Sequence, residues 1–375
     1  MVIGDVAGKM ARSGRWIRPQ GGAAQGIVAM VEPSRPEAPR RQPTISLPLL
    51  LLFAGYLALV GAAWWATLNI LPDRLAVTAF GHALHIGDLH RRVLQHGSIL
   101  VLIVPSILFA EMVFTGWRGS SMRHLLVERS PTALSDLAVF GLWQTPVMNG
   151  LIAVLSLGVT LVSGVWLHDQ IARLTGVSLS VAALPASAQA LLFLAVFSFL
   201  DYWNHRLDHS RLFWPLHRFH HAAEEFTVLN SVRIHPAAFT SVMSATLPAV
   251  LFQASPDVIA DVMLFVITLR YVIHSRIDSD FGWVGRWIIQ SPVHHRLHHV
   301  LDMSRATGHF AITPIWDHLF GTWRSDADAV DQTLVIGVDT PYRHGAWIGP
   351  DVWRDYLDFW KGFLPGVAAA QRQEA

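Results

Sequence analysis

The chain has 375 residues, 52% of them hydrophobic and only 15% charged, where ordinary soluble domains carry about 25% charged residues. That composition is a membrane protein's. The formal net charge of +1 provides no broad basic surface, which argues against nucleic acid as a partner. With no cysteine, disulfides, thiolate zinc sites and cysteine-ligated iron–sulfur clusters are excluded, so any metal must be held by nitrogen and oxygen.

In chain order, residues 1–45 have no sustained apolar period, include the stretch EPSRPEAPRRQP, and read as a disordered leader. Ser46 to Leu71 then runs 26 residues without a charge, where about 20 suffice to cross the hydrocarbon core. It is too long for a signal-peptide core and is expected to be a retained transmembrane helix. A second span fits Val93 to Trp117, interrupted by Glu111, and a third fits Leu137 to Leu167. The third is too long for one straight span, so its first part is expected to be interfacial. A fourth runs from Leu184 to Trp203. Arg35, Arg40 and Arg41 before the first span, and Arg118, Arg123 and Arg129 after the second, place both ends on the cytoplasmic side. With four spans, everything after Trp203 returns to that side. Val242 to Ile273 is apolar but broken by QASPD at 253–257, and each half is short of a span, which predicts a hairpin that dips into the membrane and returns. The expected fold is therefore all-α: a polytopic helical membrane protein with about four transmembrane helices, a re-entrant hairpin and a cytoplasmic, histidine-rich catalytic region. The expected divisions are the leader 1–45, membrane helices 46–183, a catalytic domain 184–325 and a C-terminal tail 326–375.

The chemistry is concentrated between His205 and His299. HRLDH places His205 and His209 at i and i+4, HRFHH places His217, His220 and His221 at i, i+3 and i+4, and HRLHH repeats that spacing as His295, His298 and His299. Three- and four-residue spacings share a helix face, so each cluster is expected to aim several imidazoles at one point. YVIHSRID adds His274, with Asp278 one turn later as an oxygen ligand. For 20 histidines in 375 residues, chance gives on the order of 0.06 copies of H-x-x-H-H, and this chain has two. Lone histidines, namely His82, His85, His90, His96, His124, His168 and His344, read instead as hydrogen-bonded structural residues. Eight or more clustered histidines exceed the four ligands of a structural zinc or the three of a catalytic one, which argues for two ions. No histidine is followed by glutamate, so the zinc-peptidase signature H-E-x-x-H is absent.

Taken in order, DYWNHRLDH, LHRFHH, NSVRIHP, VIHSRID, SPVHHRLHH and IWDHLFGTW resemble the fatty acid hydroxylase and sterol desaturase superfamily of integral-membrane di-iron enzymes, over about Leu184 to Trp323. The resemblance implies a helical membrane enzyme with two iron ions (Fe2+/Fe3+) and O2 as co-substrate, hydroxylating or desaturating a lipid. It implies His205, His209, His217, His220, His221, His295, His298 and His299 as ligands, with His274 as the additional histidine between the second and third boxes. His294, Asp302 and His309 are expected to support the ligands from outside the metal shell, and His235, at the family's RxHP position, either to buttress the site or to ligate directly. No catalytic residue is assigned beyond the metal ligands.

The chain departs from the family pattern at two places. RIHPAAF has Ala238 where the family often has glutamate, and DMSRATGHFA replaces DxNYG, leaving Asp302 and placing His309 near the usual asparagine. Carboxylates such as Asp201, Asp208, Asp278 or Asp302 are expected to orient ring N–H groups. Trp203, Phe213 and Trp214 are expected to line a groove through which lipid reaches the metals. No Gly-rich dinucleotide fingerprint and no haem domain is evident, so an external electron donor (a reductase, ferredoxin or cytochrome) is an expected partner. The alternative is a histidine-rich metal transporter or metal-binding scaffold; a transporter would place polar ligands inside the spans, where Glu111 and His96 are the candidates.

Overall fold

The structure, a computed structural model, describes residues 47–79, 82–156, 159–176, 179–301, 308–324 and 335–364. The leader at 1–45 and Asp302 lie outside these residues. The protein is mostly helical, as the sequence predicts, and among the described residues three helices are long and apolar enough to cross a membrane: Leu47–Asn69 (α1), Leu89–Gly119 (α2) and Ala186–Asp208. It is an integral membrane protein. Phe53 of α1 stacks on Phe109 of α2 with ring centroids 4.2 Å apart. Between these two helices lies an antiparallel hairpin that the sequence reading did not anticipate, Leu75–Ala79 (β1) and His82–Ile86 (β2), with Leu75 opposite Ile86.

The run from Leu137 to Leu167, too long for one straight span, is divided among Pro131–Trp143 (α3), Pro146–Leu155 (α4) and Val159–Thr175 (α5), and α3 and α4 meet at 91°. Pro146 explains the break: it has no N–H to donate, and its ring disfavours helical backbone at the preceding residue, so Thr145 is extended at φ −114°, ψ 156°. The fourth span, Ala186–Asp208 (α6), continues five residues past the predicted end and so carries His205 on the same rigid element.

The short helix Trp214–His221 (α7) follows. The apolar run expected to form the hairpin is two helices, Phe239–Phe252 (α8) and Pro256–Ile273 (α9), separated by a break in which Gln253 is left-handed (φ 47°) and Ser255 caps α9 by accepting from the Val258 N–H. Val258, Val262, Val266 and Leu269, spaced by three and four on α9, bury one stripe against Phe193 and Phe197 of α6. Gly282–Trp287 (α10), Pro292–His298 (α11), Ile315–Leu319 (α12) and Gly349–Lys361 (α13) complete the described elements used below. α13 packs on α7.

Candidate metal centre

The histidine boxes fall on the ends of helices that packing holds together. The last turn of α6 carries His205, and His209 follows as its cap residue; α7 carries His217, His220 and His221. His274 is the residue after α9, and α11 carries His295 and His298 with His299 at its end. Ser291 starts α11 by accepting from the His294 N–H at 3.2 Å, with Pro292 at the first helical position.

Nine histidines converge in two groups, each with ligand atoms within 4.8 Å of one another: His205, His209, His217, His221 and His298 in the first, and His220, His274, His295 and His299 in the second. This differs from the expectation that each box aims at one point. In each H-x-x-H-H box the i and i+4 rings serve one group and the i+3 ring serves the other. His217 and His221 join the first group while His220 joins the second; His295 and His299 join the second while His298 joins the first. Adjacent residues on a helix are turned by about 100°, so each His-His pair straddles the two groups. The His221 and His299 rings stack across the divide at 4.3 Å.

The donor geometry fits metal ions. The His205 Nδ1–H donates to Phe310 O at 2.7 Å and the His298 Nδ1–H to Gly308 O at 2.8 Å, so each neutral ring has its lone pair on Nε2. Those two Nε2 atoms face each other at 3.0 Å with no proton to share. In the second group, the His274 Nδ1–H donates to Arg270 O at 2.6 Å and its Nε2 lies 2.9 Å from that of His295 and 3.4 Å from that of His220. Two nitrogens bound to one ion at about 2.1 Å lie about 3.0 Å apart at a right angle and about 3.4 Å apart at the tetrahedral angle. The observed spacings are those of a coordination shell, and a cation between the rings removes the lone-pair repulsion.

Burial, reinforced by neighbouring imidazoles, holds His217, His220, His221, His295, His298 and His299 well below histidine's ordinary pKa, and burial and His205 do the same to His209. Burial takes His274 down to about 3. The rings are therefore neutral at pH 7, the state in which imidazole binds metal.

The other candidates stand apart from both groups. Asp278, expected as an oxygen ligand, lies 3.9 Å from the Arg296 guanidinium. His235 Nε2 bonds Val352 O at 2.9 Å, and the Ala237 N–H donates to His235 Nδ1, so His235 ties the loop before α8 to α13. His294 bonds Ser291 Oγ through Nδ1 at 2.7 Å and stacks on His309 at 5.1 Å. Of the orienting carboxylates, Asp208 lies 3.7 Å from His217 Nδ1, whereas Asp201 pairs with Arg270 at 2.6 Å. Glu111 is buried and accepts from Ser121 N–H and Oγ–H and from Arg276 N–H, so it fastens the segment just after His274 instead of lining a path. The side chain of His96 lies outside the described residues.

Sequence reasoning quoted IWDHLFGTW without assigning Asp317 a role. Its carboxylate accepts from Phe310 N–H (3.0 Å), Ala311 N–H (2.9 Å) and Thr322 Oγ–H (2.7 Å), and it thereby shapes the loop whose carbonyls hold His205 and His298. No spacing rule points to it, because its partners are backbone groups. An open cleft of about 690 Å³ reaches both groups, lined by His205 and His217 of the first and by His220, His274 and His295 of the second. Its apolar lining comes from Leu216, Ile234, Ala238, Ile273, Phe310 and Ile312, not from the expected Trp203, Phe213 and Trp214. Trp214 instead packs on His209 and His221, at 5.3 and 5.2 Å.

A helical membrane protein with two histidine groups that could each hold a metal ion is thus defined by geometry. Residues 190–322 match the fatty acid hydroxylase family, in agreement with the resemblance carried by the histidine boxes. It is similar to alkylglycerol monooxygenase of Homo sapiens (28% identical over 141 residues, 37% of this chain and 31% of that protein) and of Danio rerio (30% over 142 residues, 37% and 31%). It is also similar to the very-long-chain aldehyde decarbonylase GL1-7 of Oryza sativa subsp. japonica, 25% identical over 238 residues, 60% of this chain and 35% of that protein. The chain spans about a third of the length of the curated relatives it matches. No solved structure matches it.

Proposed function

We propose that this protein is a membrane-bound, dioxygen-dependent di-iron oxidoreductase that hydroxylates a lipid. The observation that carries the reading is the convergence of nine neutral imidazoles, five buried and four half-buried, into two groups, with the lone pairs of His205 and His298 facing at 3.0 Å. The five nitrogens of the first shell and the four of the second would each hold one iron. Two irons there supply the redox chemistry that reduces dioxygen and breaks an unactivated C–H bond.

The protein's own residues bind and orient. Gly308 O, Phe310 O and Arg270 O fix the tautomers of His298, His205 and His274, so the ligands need no reorganisation when metal arrives. The apolar side of the cleft, Leu216, Ile234, Ile273 and Ile312, packs a hydrocarbon chain and keeps water from the reacting carbon. The Asp201–Arg270 pair, at 2.6 Å and also in the cleft lining, offers a polar end for a head group. Hydroxylation inserts one oxygen atom and reduces the other to water, so it needs two electrons from a protein partner. We place the boxes on the cytoplasmic side, where Arg206, Arg211 and Arg218 follow the positive-inside pattern.

The similarity to alkylglycerol monooxygenases makes an alkylglycerol the first substrate to test. Iron is quantified on the purified parent and on His295→Ala, and lipid extracts are compared from cells with and without the protein. Two irons in the parent, fewer in the variant, and a hydroxylated or cleaved lipid only in expressing cells are expected. Retention of two irons by the variant would overturn the ligand assignment, and unchanged lipids with a reductant supplied would overturn the activity.

A further inference from the structure

The helix α13 takes no part in the metal shells, yet it has two contrasting faces. Asp351, Asp355 and Phe359, spaced by four, are buried against the protein. On the opposite side Trp353 (54% exposed), Leu357 (41%) and Trp360 (39%) follow the i, i+4, i+7 pattern, and Leu364 (54%) is exposed just past the helix end. At 100° per residue these three lie within about 60° of one another around the axis. Arg354 and Lys361 fall together on one flank of the stripe.

We propose that α13 is an interfacial helix whose Trp353–Leu357–Trp360 stripe is seated in the headgroup–acyl boundary of the bilayer, fastening the second histidine box to the membrane surface.

The position of the helix supports a lipid occupant. Tyr356 Oη donates to Leu155 O at the end of α4 (3.5 Å), Phe359 packs on Phe239 at the start of α8, and Gly362 lies against Leu212 in the turn after α6. α13 therefore lies across the ends of three apolar helices, one of them a full membrane span. Val154, beside Leu155, is 68% exposed, so the stripe continues an apolar exterior. Tryptophan and leucine flanked by cations is the composition of helices that lie in the interface plane. The three side chains and Leu364 expose on the order of 400 Å², about half of the ~800 Å² per partner that a stable protein interface buries. On its inner side, the Arg218 guanidinium of α7 donates to Asp355 at 2.6 Å and to Asp358 at 2.5 Å, between box histidines His217 and His220. Lipid contact on one face is thus transmitted to α7 on the other.

The inference rests on membrane embedding and not on the oxygenase reading, and its test reads neither metal nor turnover. Because the chain has no cysteine, Trp353→Cys, Leu357→Cys, Trp360→Cys and Lys361→Cys each create a unique labelling site. The full-length variants are spin-labelled and reconstituted in phosphatidylcholine–phosphatidylglycerol vesicles. Collision rates are then measured with oxygen, which concentrates in hydrocarbon, and with a water-soluble nickel chelate. The expected result is an oxygen-to-nickel ratio several-fold higher at 353, 357 and 360 than at 361. Leu357, exposed and without a ring contact, keeps the test independent of any loss of fold at the tryptophans. Equal nickel access at all four sites would overturn the proposal, as would a stripe shielded from both reagents with spin–spin broadening, which would mean a second copy of the chain.

Discussion

Replacing Asp317 by asparagine should empty one metal shell while sparing the other. The carboxylate accepts three hydrogen bonds, two from the backbone of residues 310 and 311 and one from Thr322. Asparagine keeps one acceptor oxygen but turns an amide N–H₂ toward a backbone N–H, so at least one charge-assisted bond is lost and one buried donor is left unmet. With about 1.5–3 kcal/mol for a bond to a charged group and a further 1–3 for an unsatisfied group, the local cost is about 2.5–6 kcal/mol. The loop it shapes presents Phe310 O to His205 and Gly308 O to His298, and both histidines belong to the first group. Loss of such an orienting partner typically lowers metal affinity 10–100-fold. The assay is metal content per chain by mass spectrometry, followed by chelator competition on the purified protein. One weakly held ion and one at parental affinity are expected. Two ions at parental affinity, with unchanged thermal stability, would refute the claim that this loop sets the first shell.

Gly308→Ala attacks the same loop by packing: a Cβ there would sit 2.4 Å from Thr322 O, so a stability loss of about 1–3 kcal/mol by denaturant titration is expected. It should carry weakened binding in the first shell with it. Asp355→Ala leaves the Arg218 guanidinium without its buried partner and releases Tyr342 Oη, so thermal unfolding should report a loss of about 3–5 kcal/mol. Acid should destabilise the metal-free protein. Burial holds His235 at about 4 and His274 and His309 at about 3, so the folded state keeps them neutral while the unfolded chain protonates below histidine's usual 6.5. Stability is therefore complete above pH 6.5 and falls as pH drops toward those folded values. The three residues give a loss of about 4 kcal/mol between pH 7.5 and 5.5, measurable by denaturant titration at the two pH values.

Much of this was legible in the chain. Charge-free runs of sufficient length locate membrane helices because the bilayer tolerates only internally satisfied backbone, and α1, α2 and α6 lie where those runs are. The third run is too long for one span, but hydropathy does not locate its break, because hydropathy counts side chains whereas Pro146 acts through the backbone and turns the helix by 91°. The nine histidines that converge had all been singled out, since recurring i, i+3 and i+4 spacings are visible in sequence. Asp278 had been singled out too, but one-turn spacing holds only within a helix, and α9 ends at Ile273, just before His274.

The sequence by itself determined the solvent this protein lives in and the atoms available to bind metal, because composition and residue type need no neighbours to be read. Which ring joins which shell was decided only by the tertiary structure. A box spacing states that His217, His220 and His221 share a helix surface, but the 100° between adjacent residues sends each ring toward whichever partners the other helices bring. α6 and α11 bring His205, His209 and His298 to one side of α7, and α9 and α11 bring His274, His295 and His299 to the other. Asp317 belongs to the same category. Its role comes from where the loop at 308–312 folds back, and backbone carbonyls and amides carry no sequence signature.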